Sequence, residues 1–121
     1  MKYIPTDFMH ISILDDRTVL VEAMPGVEID GAKSRYANEL IQKEMPGEYG
    51  MIIDRKSDYS IVPVAVYDIL NSIDNLKAIA IVVHGTRSFL PFETEKNLFK
   101  GELEIFQTIR EAHEWIGKVL S

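Results

Sequence analysis

Residues 76–83 read Leu-Lys-Ala-Ile-Ala-Ile-Val-Val, and this nearly unbroken apolar run constrains the fold more than any other segment. A strand with one wet face alternates apolar and polar residues, whereas a strand covered on both faces has no reason to alternate. The run is also far too short to span a bilayer. It therefore reads as the central strand of a sheet, and it requires packed elements above and below.

What surrounds it supplies them. Residues 8–14 place Met9, Ile11 and Ile13 on one face and Phe8, His10 and Ser12 on the other. After an Asp15-Asp16-Arg17 turn, residues 18–24 set Val19, Val21 and Ala23 against Thr18, Leu20 and Glu22, so the two runs form an antiparallel hairpin. Pro25-Gly26 breaks the second strand. Asp30 is positioned to cap a helix with Tyr36, Ala37, Leu40 and Ile41 on one face, and Pro46-Gly47 stops it. Residues 49–53 are a short strand. A polar connector from Asp54 to Ser60 follows, and Ser60 is expected to cap a helix with Pro63 in its first turn and a stripe of Val62, Val66, Ile69 and Ile73.

Beyond the central strand, a helix is expected over about residues 88–100, carrying Phe89, Phe92 and Phe99, then a strand over 103–106. Thr108 and Glu111 match a capping box for a closing helix whose apolar positions are Ile109, Ala112, Trp115, Ile116 and Val119. Helix-linked strands favour parallel pairing, while the opening hairpin demands an antiparallel member. The expectation is one α/β domain over residues 1–121: a mixed sheet of about five strands that begins with an antiparallel hairpin, with helices packed on it.

Composition limits the function. Thirteen Lys and Arg against nineteen Asp and Glu give a net charge of −6, which opposes binding to nucleic-acid backbones and anionic membranes. The absence of cysteine excludes disulfides, thiolate nucleophiles and Cys-based metal centres, and suits a cytoplasmic location. Residues 1–7 lack the apolar core of a signal peptide.

The element order, with Pro25-Gly26-Val27-Glu28-Ile29-Asp30 before the first helix, Ile52-Ile53-Asp54 ending the third strand, Ala78-Ile79-Ala80-Ile81-Val82-Val83, and Phe106 followed by Glu111-Ala112 and Trp115-Ile116, resembles the SpoIIAA-like branch of the STAS superfamily over nearly the whole chain. That resemblance implies a switch domain. Anti-sigma-factor antagonists of this type carry Asp-Ser-Ser-Gly at the start of the second helix, where phosphorylation of a serine controls docking through added charge. Here Val62-Pro63-Val64-Ala65 falls over those four residues, so the acceptor position is Val64. Ser57 and Ser60 are offset from it, and phosphoregulation at the usual serine is not expected. The wider group also implies an alternative, an apolar-ligand carrier of CRAL-TRIO type, with a pocket near Phe89-Leu90-Pro91-Phe92.

Motifs for catalysis are sparse. His84-Gly85-Thr86-Arg87 joins an imidazole, a hydroxyl and a guanidinium at the end of the central strand, a composition suited to an anion. It is similar to the His-Gly-Ser-Arg segment of small sirohydrochlorin-type chelatases, which implies a further alternative, a metal- or tetrapyrrole-binding enzyme using His84. Those enzymes place the segment at the first strand with a second histidine beyond, whereas His113 is the only later histidine here. His-Glu-X-X-His, Gly-X-Ser-X-Gly, Gly-X-Gly-X-X-Gly and Walker loops are absent. Asp15-Asp16 and the Glu93, Glu95, Glu102 and Glu104 cluster read as a turn and solvated faces.

The sequence thus points to a non-catalytic module, with no cofactor or bound metal, for a protein partner or a small anionic or apolar ligand. The expected working surface comprises Asp54, Arg55, Lys56, Ser57 and Ser60 with His84, Gly85, Thr86 and Arg87, the two connectors lying side by side at the carboxyl ends of parallel strands. Arg55, Lys56 and Arg87 are expected to offer positive charge there. The exposed face of the first hairpin is a candidate homodimer surface.

Overall fold

Alternation in the hairpin and continuity in residues 76–83 both translate into strands of one mixed sheet. The computed structural model describes residues 1–85 and 92–121, with the backbone alone at Phe92. Strands β1 (Lys2–Pro5), β2 (Met9–Asp15) and β3 (Thr18–Ala23) pair antiparallel; β5 (Tyr49–Asp54), β7 (Leu76–Val82) and β8 (Glu102–Phe106) extend the sheet in parallel, in the order β1-β2-β3-β5-β7-β8. Two-residue strands β4 (Glu28–Ile29) and β6 (Ser60–Ile61) form a separate parallel pair. The helices are α1 (Gly31–Gln42), α2 (Pro63–Asn71), α3 (Phe92–Leu98) and α4 (Ile109–Val119).

The sheet has six strands where about five were expected. β1 was missed because its four residues are mostly exposed and end in Pro5, as suits an edge strand but gives no alternating signature. The expected helix over 88–100 is α3 from Phe92 onward, and residues 88–91 lie outside those described.

Each cap follows local chemistry, with one correction. Asp30 accepts the Lys33 N–H at the start of α1, and the Thr108 hydroxyl oxygen accepts the Glu111 N–H at the start of α4. Ser60, expected to cap α2, instead lies in β6, where its N–H donates to Val27 O at 3.0 Å. Val62 occupies the cap position of α2 without a side-chain bond, and Pro63 opens the helix. The buried stripe of α2 is accordingly Val66, Tyr67 and Leu70 with Ile73, rather than a stripe through Val62. Turning the chain between β3 and β4 needs Gly26, whose φ of +80° follows Pro25 with Val27 N–H returning to Met24 O, the signature of a type II turn.

Two cores result. Alternate residues of β2, β3, β5 and β7 (Ile11, Val21, Met51 and Ile81 among them) meet α1 and α2 on one face. On the other face, Ile52, Ala78, Ala80 and Val82 meet Ala112 and Ile116 of α4. The central position expected for residues 76–83 holds: β7 lies between β5 and β8, is covered on both faces, and of its residues only Lys77 is exposed.

Candidate functional site

Parallel pairing of β5 with β7 brings their carboxyl ends together, as the sequence led us to expect. Asp54 closes β5, and its Oδ1 lies 2.6 Å from Nε2 of His84, which follows β7. Asp54 is buried and the His84 ring is half-exposed. Gly85, with φ +66°, turns the chain immediately afterwards.

Arg55 departs from expectation. Its N–H donates to Val82 O at 2.9 Å, so the ladder runs one residue past the strand and the period-2 alternation continues: Met51, Ile53 and Arg55 share the face beneath α1 and α2. The guanidinium is therefore carried inward, 4% exposed, and meets Glu95 of α3, 1% exposed, in a two-pronged pair: Nη1 donates to Oε2 at 2.5 Å and Nη2 to Oε1. Tyr67 of α2 donates its hydroxyl to the same Glu95 Oε1 at 2.8 Å. Arg55 thus does not offer positive charge at the surface; the charge is spent on Glu95, and Glu95 is not on a solvated face. Neither partner could be found from local sequence, because forty residues separate them.

Lys56 and Ser57 do lie at the surface side of this connector. Both turn toward Glu22 of β3, with Lys56 Nζ at 3.6 Å and the Ser57 hydroxyl at 3.5 Å from Glu22 Oε2. Thr86 and Arg87 lie outside the described residues, as do Phe89-Leu90-Pro91 and the Phe92 side chain of the region expected to line a pocket. On the candidate dimer face of the hairpin, the Tyr3 and His10 rings stack, with the Tyr3 hydroxyl against His10 Nδ1. The remaining histidine, His113, sits 2.7 Å from Asp15, ninety-eight residues away in sequence, whereas His84 is paired with Asp54. Among the described residues no three His, Asp or Glu side chains are placed to hold a metal ion, and no helix is long and apolar enough to cross a membrane.

Burial moves the tyrosines around this cluster. Loss of water pushes the Tyr67 hydroxyl well above its ordinary value, and the charge of Glu95 adds to the effect; burial raises Tyr59 against the opposing pull of Arg55, and raises Tyr49 to about 12. In Arg55 desolvation alone would lower the pKa, but the bonds to Glu95 override it and the group is held charged. A tyrosine whose folded pKa exceeds its unfolded value of about 10 stabilises the fold fully below pH 10 and progressively less as pH rises toward the folded value. Unfolding free energy measured in urea should therefore fall between pH 10 and 12, and Tyr49→Phe should flatten that decline; a flat profile in the unaltered protein would contradict the burial.

These features sit on an architecture with a known counterpart. The crystal structure of an uncharacterized protein of the DUF3478 family from Shewanella loihica PV-4, described as having a SpoIIAA-like fold, superposes with a TM-score of 0.62, covering 93% of this chain and 98% of the other at 17% identity. The fold is SpoIIAA-like. At that identity the likeness concerns architecture alone. No protein-family model matches the chain, and no curated protein matches it either. In the SpoIIAA-like frame the start of α2 is the region that the sequence aligned with the phosphoacceptor motif, and it is Val64 that stands there, exposed.

Proposed function

We propose that this chain is a non-catalytic docking module that engages a protein partner through the shoulder formed by β6 and the start of α2. The observation that carries the reading is the exposure of two β-branched apolar side chains on either side of Pro63: Val62 is 37% and Val64 62% exposed. Apolar groups facing water at adjacent positions gain free energy when a partner covers them.

The shoulder is held firmly enough to present them. Val62 N–H donates to Ile29 O at 2.9 Å, Gly26 N–H to Asp58 O at 2.6 Å, and β4 pairs with β6. Beneath it, the Arg55, Glu95 and Tyr67 side chains fix α2 to β5 and α3. A non-catalytic role is supported by the way these ionisable groups are committed to one another. Because Val64 cannot accept a phosphate, control of docking by charge addition at this position is not part of the proposal.

Val64→Glu tests it. The side chain is exposed, so stability should change by no more than about 0.5 kcal/mol. A protein retained by the unaltered chain from an extract of its source cells, and identified by mass spectrometry, should bind Val64→Glu at least tenfold more weakly, while binding Ile105→Glu, a change at an exposed position on the β8 edge, as before. Equal binding by Val64→Glu would remove the shoulder from the interface.

A further inference from the structure

A second feature lies apart from the shoulder, in the way α3 is held. A helix on the surface of a domain ordinarily docks through an apolar stripe. In α3, Glu93, Thr94, Lys96 and Asn97 are exposed, Leu98 is half-buried, and Glu95 is the buried side chain. Just past the helix the chain is tied down by other means. Phe99 enters the core, and Asn71 of α2 grips both sides of it: Oδ1 accepts the Lys100 N–H and Nδ2 donates to Leu98 O, each at 2.8 Å. Ahead of Leu98, α3 is held to the molecule by a carboxylate rather than by hydrocarbon.

The groups that receive this carboxylate have the form of a binding site. Nη1 and Nη2 of Arg55 each donate to one of its oxygens, and the Tyr67 hydroxyl donates to Oε1. A planar fork meeting a planar carboxylate in two parallel bonds gives specificity as well as strength. Arg55 is placed by the end of β5 and Tyr67 by α2, so neither takes its position from α3. Charge selects the ligand class further. One carboxylate neutralises one guanidinium, whereas a phosphate monoester at neutral pH would carry an excess of negative charge into the interior.

Lifting an ionic anchor costs less than lifting an apolar one, because both ions regain hydration that offsets most of the attraction lost. Seven residues are also too few for a helix to persist once undocked. α3 therefore belongs to the part of the fold that opens most readily. We propose that Arg55 and Tyr67 form a receptor for a small organic carboxylate, that Glu95 is its built-in occupant, and that an incoming carboxylate exchanges with Glu95 and frees α3. Because Glu95 is tethered, it competes at a high local concentration, and a free carboxylate must reach the millimolar range or above to displace it.

Acetate is the probe, and chloride at equal ionic strength is the reference. Glu95→Ala vacates the receptor, so its melting temperature should rise by about 5 °C in acetate over chloride. Arg55→Met combined with Glu95→Ala should lose that rise. In the unaltered protein the Phe99 N–H, which donates to Glu95 O at 3.2 Å, reports the last turn of α3. Its hydrogen exchange should quicken at least about threefold in molar acetate over chloride, while the Ala112 N–H of α4, bonded to Thr108 O, should not quicken. Equal melting of Glu95→Ala in the two salts, or the same rise in the double variant, would show that Arg55 does not receive carboxylates. An unchanged Phe99 exchange rate, or equal quickening at Ala112, would show that acetate does not exchange with Glu95. Any of these results overturns the proposal. The exchange measurement on the unaltered protein decides by itself where Glu95→Ala does not fold.

Discussion

Replacing Glu95 with leucine should destabilise the protein by about 3–5 kcal/mol, because it leaves the Arg55 guanidinium in the interior without its carboxylate. A domain of this kind has about 5–15 kcal/mol in total, so the change removes a large part of it. The size of the effect comes from asymmetry. The intact pair offsets most of the cost of removing two ions from water, and bonds from Nη1 and Nη2 of the guanidinium and from the Tyr67 hydroxyl contribute to the compensation. Removing one partner restores none of the lost hydration to the other. The companion variant Arg55→Met with Glu95→Leu should regain most or all of the loss, since two well-packed apolar chains replace two ions that only balanced each other. Urea unfolding of the two variants beside the unaltered protein measures both numbers. A single Glu95→Leu cost below about 1 kcal/mol would show that Arg55 reaches water or another anion, and the account of a closed buried pair would fail.

This pair also marks where sequence reading stops. Period-2 alternation gave the β2–β3 hairpin, continuity gave β7, and the Thr108 hydroxyl gave the start of α4, because each depends on residues within one turn or one strand. The juxtaposition of Asp54 with His84 followed from parallel pairing of the strands they terminate. The burial of Arg55 was legible in principle: extending the alternation of Met51 and Ile53 by one residue points it inward. Its charge argued for the surface, and only Glu95, brought in by α3, reverses that argument. Ser60 was misjudged for a related reason. A hydroxyl before a helix suggests a cap, but backbone pairing with Val27, far away in sequence, claimed that residue for β6. The register of α2 moved with it, exposing Val62 and burying Tyr67. Asn38 of α1 is buried, and its Oδ1 has no hydrogen-bond partner among the described residues; this had no sequence signal, since a lone Asn in a helix is normally solvated.

Gly50→Ala should be the second severe change, costing at least about 1–3 kcal/mol, although alanine is ordinarily the better strand residue. Gly50 faces α4 in a row of small residues: it pairs with Ala78 in the register, and Ala80 lies next to Ile52 two pairs further on, on the same face. The row lets the helix settle close to the sheet, with Ile116 filling the space that a side chain at position 50 would need. A Cβ on Gly50 would stand 2.5 Å from Ile116 Cγ2 and 2.9 Å from Cγ1. Ile116 is fully buried, so either α4 lifts from β5 and β7 or the side chain leaves its preferred rotamer. Ile116→Ala separates this cause from others. Alone it should cost about 2–5 kcal/mol through the cavity it opens. Combined with Gly50→Ala, the added methyl enters that cavity, and the double variant should be more stable than the sum of the single effects by about 1–3 kcal/mol. Additivity within about 0.5 kcal/mol in urea unfolding would show that the two atoms do not compete for one space, and that the approach of α4 to the sheet is not set by the missing side chain at Gly50.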